Sequence, residues 1–383
     1  MPTFASREVE GPRTVVDGHY CQSSAWRTAR FPTWVAINVG AGPSRLLLSW
    51  NSGKTGDYTS GGKNESYGIP ASYTIETSAD STNGADGTWQ LAVDVQGNFA
   101  RTRAHSFPFT GAAWVRMTVR GVVPRTAEET LLIDEIDIHD ASAGTEDTIF
   151  FMGASNTAAA FLRCDASQPS YAEHVHRGFP RYFPAMIDGG VGDVTSEYGV
   201  RVIDSWLADN SDYQYWAIAY GTNDAWQAVS PAAYEENLQF IIDKVKAAGK
   251  QPILARIPYA LKGPKDENVQ RLNEVIDRLT TRNRLPQGPD LYTWFKDHSE
   301  ELGPDGVHVT NVGAASINRL WFEVLGPRYG AAVEPPVAAA RAGGDGAPPP
   351  APLQADAWGV LLLPRTRQAR ASQQSFARFP SAG

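Results

Sequence analysis

The sequence predicts a chain of two folded parts, an all-β sandwich over residues 1–144 and an α/β region with a parallel sheet over residues 145–330. Two observations predict this. The first zone is crowded with short β-branched and aromatic runs separated by Gly, Asn, Asp and Ser clusters, and it carries no helical period. The second alternates continuous apolar runs with segments whose apolar residues recur every three or four positions. Residues 331–383 follow neither pattern. They are rich in Pro, Ala and Arg, include Gly346-Ala347-Pro348-Pro349-Pro350, and are expected to form a disordered tail around one apolar island, Trp358 to Leu363.

In the first zone, strands are expected at Trp34–Val39, Arg45–Trp50, Tyr73–Thr77, Trp89–Val93 and Trp114–Val119. The alternating run Leu131–Ile138 reads as one closing strand, and Asn51-Ser52-Gly53 and Asn83-Gly84 read as turns. In the second zone, Thr148–Met152, Tyr215–Tyr220 and Pro252–Ile257 are continuous, mostly apolar runs, as expected of strands covered on both faces. Ser230-Pro231 supplies an N-cap and a first-turn proline for a helix bearing Leu238, Ile241, Ile242 and Val245 and closed by Gly249. A second helix is expected from about Glu267 to Thr281, and a third after Asn311.

The 383 residues suffice for two or three domains, and 42% hydrophobic content excludes a wholly disordered chain. Asp plus Glu outnumber Lys plus Arg by 42 to 34, a net charge of −8, which argues against nucleic acid or an anionic membrane as the main partner. No apolar run approaches the ~18 residues of a membrane span. No secretory signal opens the sequence, so the expected location is secreted or periplasmic if one was removed and cytoplasmic otherwise. Cys21 and Cys164 are expected to be buried free thiols rather than a pair.

Sites in open α/β sheets form beyond the carboxyl ends of the strands. Gly153-Ala154-Ser155-Asn156-Thr157 and Gly221-Thr222-Asn223-Asp224 follow strands there, and Pro304-Asp305-Gly306-Val307-His308 precedes the last helix. A serine hydroxyl needs a base to take its proton, and acyl transfer needs donors for the developing oxyanion. Ser155, Asn223, Asp305 and His308 supply both requirements.

The order Ser, Asn, Asp, His at strand ends resembles the SGNH hydrolases, or GDSL esterases, over the whole second zone. The resemblance implies a three-layer α/β/α domain with Ser155 as nucleophile, His308 as general base and Asp305 orienting the imidazole. It implies oxyanion donors at the Ser155 amide, the Asn223 side chain and a glycine of Asp188-Gly189-Gly190-Val191-Gly192-Asp193, where Gly190 is the best match and Gly192 the alternative. Two departures are visible: Ala154 stands where the family usually has aspartate, and Asp188 where its glycine block often begins with Asn.

Other candidates carry less. His174 and His176 suit a metal only if they lie on a strand and find further ligands, so no metal or organic cofactor is expected. No phosphate-binding glycine loop is present, and nothing singles out paired carboxylates for glycoside hydrolysis.

Cys21 to Trp26 followed by Trp34 to Gly40, with the Trp114 and Ile133–Ile138 runs, resembles the galactose-binding-like, jelly-roll-like sandwiches of discoidin type. That resemblance implies loops able to bind sugar. The candidate is the loop Asn51–Tyr67 with Tyr58, Asn64 and Tyr67; the alternative is that the sandwich only walls the active site. The expected activity is removal of O-acetyl groups from a poly- or oligosaccharide. The alternatives are a lipid, aryl-ester or thioester hydrolase with the sandwich as scaffold, and an inactive carbohydrate-binding protein. The oligomeric state is left open.

Overall fold

The computed structural model describes residues 3–6, 15–16, 18, 20, 25–52, 68–123, 130–161 and 168–331. Both cysteines, the Tyr58–Asn64–Tyr67 loop and the tail beyond residue 331 lie outside them.

Among the described residues, the first part holds ten strands: β1 (Thr3–Ala5), β2 (Trp26–Thr28), β3 (Thr33–Asn38), β4 (Arg45–Asn51), β5 (Pro70–Ser78), β6 (Gln90–Val95), β7 (Thr102–Pro108), β8 (Trp114–Val122), β9 (Leu131–Ile133) and β10 (Glu135–Asp140). They pair antiparallel as β1-β3-β8-β5-β6, β10-β4-β7 and a β2-β9 ribbon. Leu46, Leu48 and Trp50 of one sheet meet Val35, Ile37, Ile75, Val115 and Met117 of the other in a single core. The run expected as one strand from 131 to 138 is two. β9 pairs with β2 and β10 with β4, because the chain changes sheets at Asp134. The strict alternation does not mark a solvated face either, since Leu131 to Ile136 are all buried.

The second part continues β11 (Ile149–Gly153), α1 (Ser155–Phe161), α2 (Tyr171–Gly178), β12 (Met186–Gly190), α3 (Ser196–Asp209), β13 (Tyr215–Ala219), α4 (Thr222–Trp226), α5 (Pro231–Ala247), β14 (Gln251–Arg256), α6 (Asp266–Arg282), β15 (Gln287–Asp290), α7 (Leu291–Asp297), α8 (Asn311–Leu325) and α9 (Pro327–Ala331). The sheet is parallel in the order β12-β11-β13-β14-β15. β11 shows why its sequence is apolar throughout. Phe150 packs with Trp206, Tyr213 and Trp216 on one face, and Phe151 with Phe161, Tyr171 and Trp321 on the other. The cap expected for α5 is present, with Ser230 Oγ accepting from the Ala233 amide at 3.2 Å and Gly249 at φ +73° past the end.

The chain order reverses between β11 and β13, the crevice where open α/β sheets place ligands. The sandwich packs against the neighbouring edge. Leu47 and Ala104 join the core of the α/β part, Asn51 Nδ2 donates to the Asp188 carbonyl at 3.1 Å, and Arg103 meets Asp209 at 3.0 Å.

Candidate active site

Ser155 opens α1 directly after β11. That turn is tight: a Cβ on Gly153 would lie 2.1 Å from Thr157 Oγ1, so only glycine fits. The imidazole comes from the turn before α8, where Asp305 builds most of its own surroundings. Asp305 Oδ1 accepts from the amides of Val307 and His308, both at 2.9 Å, and Oδ2 lies 2.6 Å from His308 Nδ1. Those donors, the Val307 amide foremost and the imidazole next, pull the Asp305 carboxyl down to about 2. His308 Nε2 lies 2.9 Å from Ser155 Oγ. Hydroxyl, imidazole and carboxylate therefore form one continuous hydrogen-bonded relay, and the His308 and Asp305 side chains are 47% and 53% exposed.

Asn223 sits in the first turn of α4, after Gly221 at φ +136°. Its Nδ2 donates to the Val194 carbonyl at 2.9 Å, which ties the end of β13 to the loop after β12 and leaves the second amide hydrogen available. Asp224 beside it is fully buried. It accepts from the Ser196 amide and hydroxyl, so it anchors the start of α3 and takes no place in the cleft.

The Gly190 amide is already committed, donating to Asp188 Oδ1 at 2.7 Å. The residue is glycine for packing, since a Cβ there would lie 2.2 Å from the Ala158 amide nitrogen of α1. This corrects the expectation that Gly190 is an oxyanion donor. Among the described residues of that loop, the amides of Gly192, Asp193, Val194 and Thr195 donate to no protein acceptor, and Asp193 is a non-glycine residue at φ +59°.

Two supporting contacts escaped the sequence reading. Asn156, buried immediately after Ser155, donates to the Val307 carbonyl at 3.1 Å and accepts from the Val309 amide at 3.2 Å, gripping the backbone on both sides of His308. A polar amide at the start of a helix that packs under an apolar strand was the available signal. The other contact comes from the sandwich. Arg101 Nη2 reaches Asp188 Oδ2 at 2.8 Å, both side chains buried, so the residue that holds the Gly190 amide is itself held by the other domain. Asp134 lies in the same buried cluster, and burial pushes its carboxyl up to about 8 despite Arg101.

His174 and His176 lie on helix α2 rather than on a strand, so two residues of separation turn them to different faces. His174 stacks on Phe322, and His176 Nδ1 lies 3.3 Å from the Tyr182 carbonyl. No group of three or more metal-ligating side chains occurs among the described residues. No helix among them is long and apolar enough to cross a membrane.

Residues 151–315 match the model of the GDSL-like lipase/acylhydrolase family, and the α/β part of this chain is a domain of that family. Among solved structures, a lipase/acylhydrolase from Enterococcus faecalis is 24% identical, covering 47% of this chain and 96% of its own, with a TM-score of 0.41. The acetylxylan esterase Axe2 from Geobacillus stearothermophilus is 18% identical over 48% of this chain and 95% of its own, at a TM-score of 0.38. A Bacillus subtilis protein solved as a structural genomics target covers 84% of this chain and 90% of its own, at 16% identity and a TM-score of 0.43. No curated protein matches the sequence.

Proposed function

We propose that the chain is a serine ester hydrolase that removes O-acetyl groups from an oligo- or polysaccharide through an acetyl-Ser155 intermediate. The observation that carries this reading is the unbroken Ser155–His308–Asp305 relay, with distances of 2.9 and 2.6 Å. Ser155 Oγ attacks the acetyl carbon as its proton passes to His308 Nε2. The tetrahedral oxyanion is met by the Ser155 amide, the free hydrogen of Asn223 Nδ2 and the amides of Gly192 and Asp193. The C–O bond to the sugar breaks, and the sugar oxygen takes the proton from His308. A water then repeats the attack on the acetyl group, releasing acetate and restoring Ser155.

Asp305 keeps the imidazole in the tautomer that presents Nε2 as acceptor and balances its charge when protonated. Arg101, through Asp188, makes the sandwich a wall of the site. The half-exposed relay favours an ester whose bulky alcohol side stays in water.

Acetate release from a panel of O-acetylated glycans, native protein beside Ser155→Ala, tests the reading. A loss on the order of 10⁶ in turnover with an unchanged circular dichroism spectrum is expected. Retained turnover in the variant overturns it.

A further inference from the structure

Six large hydrophobic side chains stand out as exposed among the described residues, and two of them, Trp226 at 54% and Leu261 at 52%, belong to segments that carry or bond the Asn223 and His308 loops. Trp226 ends α4 three residues past Asn223, and that spacing returns it to the same side of the helix. Its ring lies against Gly263, where a Cβ would stand 2.5 Å from the indole; Gly263 is at φ +83°, so the residue is glycine on both counts. The loop carrying Gly263 is tied to the imidazole's own turn. The Leu261 amide donates to the Gly306 carbonyl at 2.7 Å, and Lys262 Nζ donates to the Pro304 carbonyl at 3.0 Å. The indole is thus backed by a glycine, held by the two loops that supply Asn223 and His308, and open to solvent on its outer side.

We infer that Trp226, extended by Leu261, is a stacking platform for a pyranose ring of the acylated oligosaccharide, a substrate subsite that rests on the esterase reading above. A flat indole backed by protein on one face and wet on the other matches a ring that offers one apolar C–H face and keeps its hydroxyls in water. A long acyl chain needs enclosure on several sides, and this rim gives it one. The ester at Ser155 and the ring on Trp226 then belong to the same substrate, with the platform holding the alcohol side while the acetyl group enters the cleft.

The test compares kcat/KM for deacetylation of acetylated xylo- and gluco-oligosaccharides with that for ethyl acetate, which has no ring to stack. The oligosaccharide-to-ethyl-acetate ratio is expected to fall about tenfold in Trp226→Ala, the equivalent of about 1.4 kcal/mol. It is expected to stay within about twofold of native in Trp226→Phe, whose ring retains a stacking face. An unchanged ratio in Trp226→Ala overturns the platform, and so does an equal loss on both substrates, which would mark a structural role. A lowered preference for octanoate over acetate esters, with the saccharide ratio intact, assigns the rim to the acyl side and also overturns it. Native protein that cleaves ethyl acetate through Ser155 but releases acetate from no saccharide overturns the proposed substrate class along with the platform.

Discussion

Asp305 and Asp188 both lie near the carboxyl end of the same sheet, and they are held in opposite ways. Asp305 is half exposed in a turn whose own amides satisfy it, and its carboxyl sits at about 2. Asp188 is buried between the domains. Burial raises its carboxyl even though Arg101 and the Gly190 amide both favour the charged form. The difference lies in the source of the compensation. Within four consecutive residues, 305–308, lie all the donors that ionise the Asp305 carboxylate, the imidazole among them. A buried carboxylate has lost water and needs a cation, which here comes from 87 residues away in another domain.

If Asp305 works through the imidazole alone, Asp305→Asn should lower kcat on the order of 10⁴-fold with little change in thermal stability. A loss below tenfold would mean that something else orients His308, and the contrast between the two carboxylates would fail. Arg101→Met should do the reverse in kind. It strands Asp188 in a dry interface and should cost about 3–5 kcal/mol of stability by urea unfolding. Adding Asp188→Asn should recover part of that loss; no recovery would show that Arg101 contributes by packing rather than by charge.

Asn156→Leu tests the clamp between the Ser155 helix and the His308 turn. It leaves the Val307 carbonyl and Val309 amide unpaired, a cost of about 1–3 kcal/mol, and should lower kcat roughly tenfold while KM holds. An equal effect on KM would place its role in substrate binding.

The smallest effect concerns Asp134. Its native carboxyl titrates near 8 and its unfolded one near the ordinary value of 3.8, so between those pH values the folded state binds one more proton. Stability from this group is therefore greatest below the unfolded value and is lost as pH rises toward 8. Asp134→Asn should flatten the decline of Tm between pH 5 and 8; an unchanged slope would mean that Asp134 is ionised against Arg101.

The relay was legible because each member sits in a local motif. Ser155 follows an apolar strand, Asn223 another, and Asp305 and His308 share one turn. Among the strands that escaped detection, two have residues that give no local signal. β15 reads Gln-Gly-Pro-Asp and pairs only because β14 lies beside it, and β12 ends in two glycines that a sequence reading takes for a loop. The split at Asp134 was hidden for a similar reason: the pattern 131–138 is continuous, and only the two partners, β2 and β4, divide it.

The sequence by itself determined the two fold classes, the α/β periodicity and the short motifs that carry Ser155, Asn223, Asp305 and His308, because backbone preference and motif spacing act within a few residues. The tertiary structure decided which amides are free, that Gly190 is spent on Asp188, that Asn156 grips the His308 turn, and that Arg101 of the sandwich supports the site. Those outcomes depend on which buried polar groups find each other once water is removed, and that competition is settled only when distant segments meet.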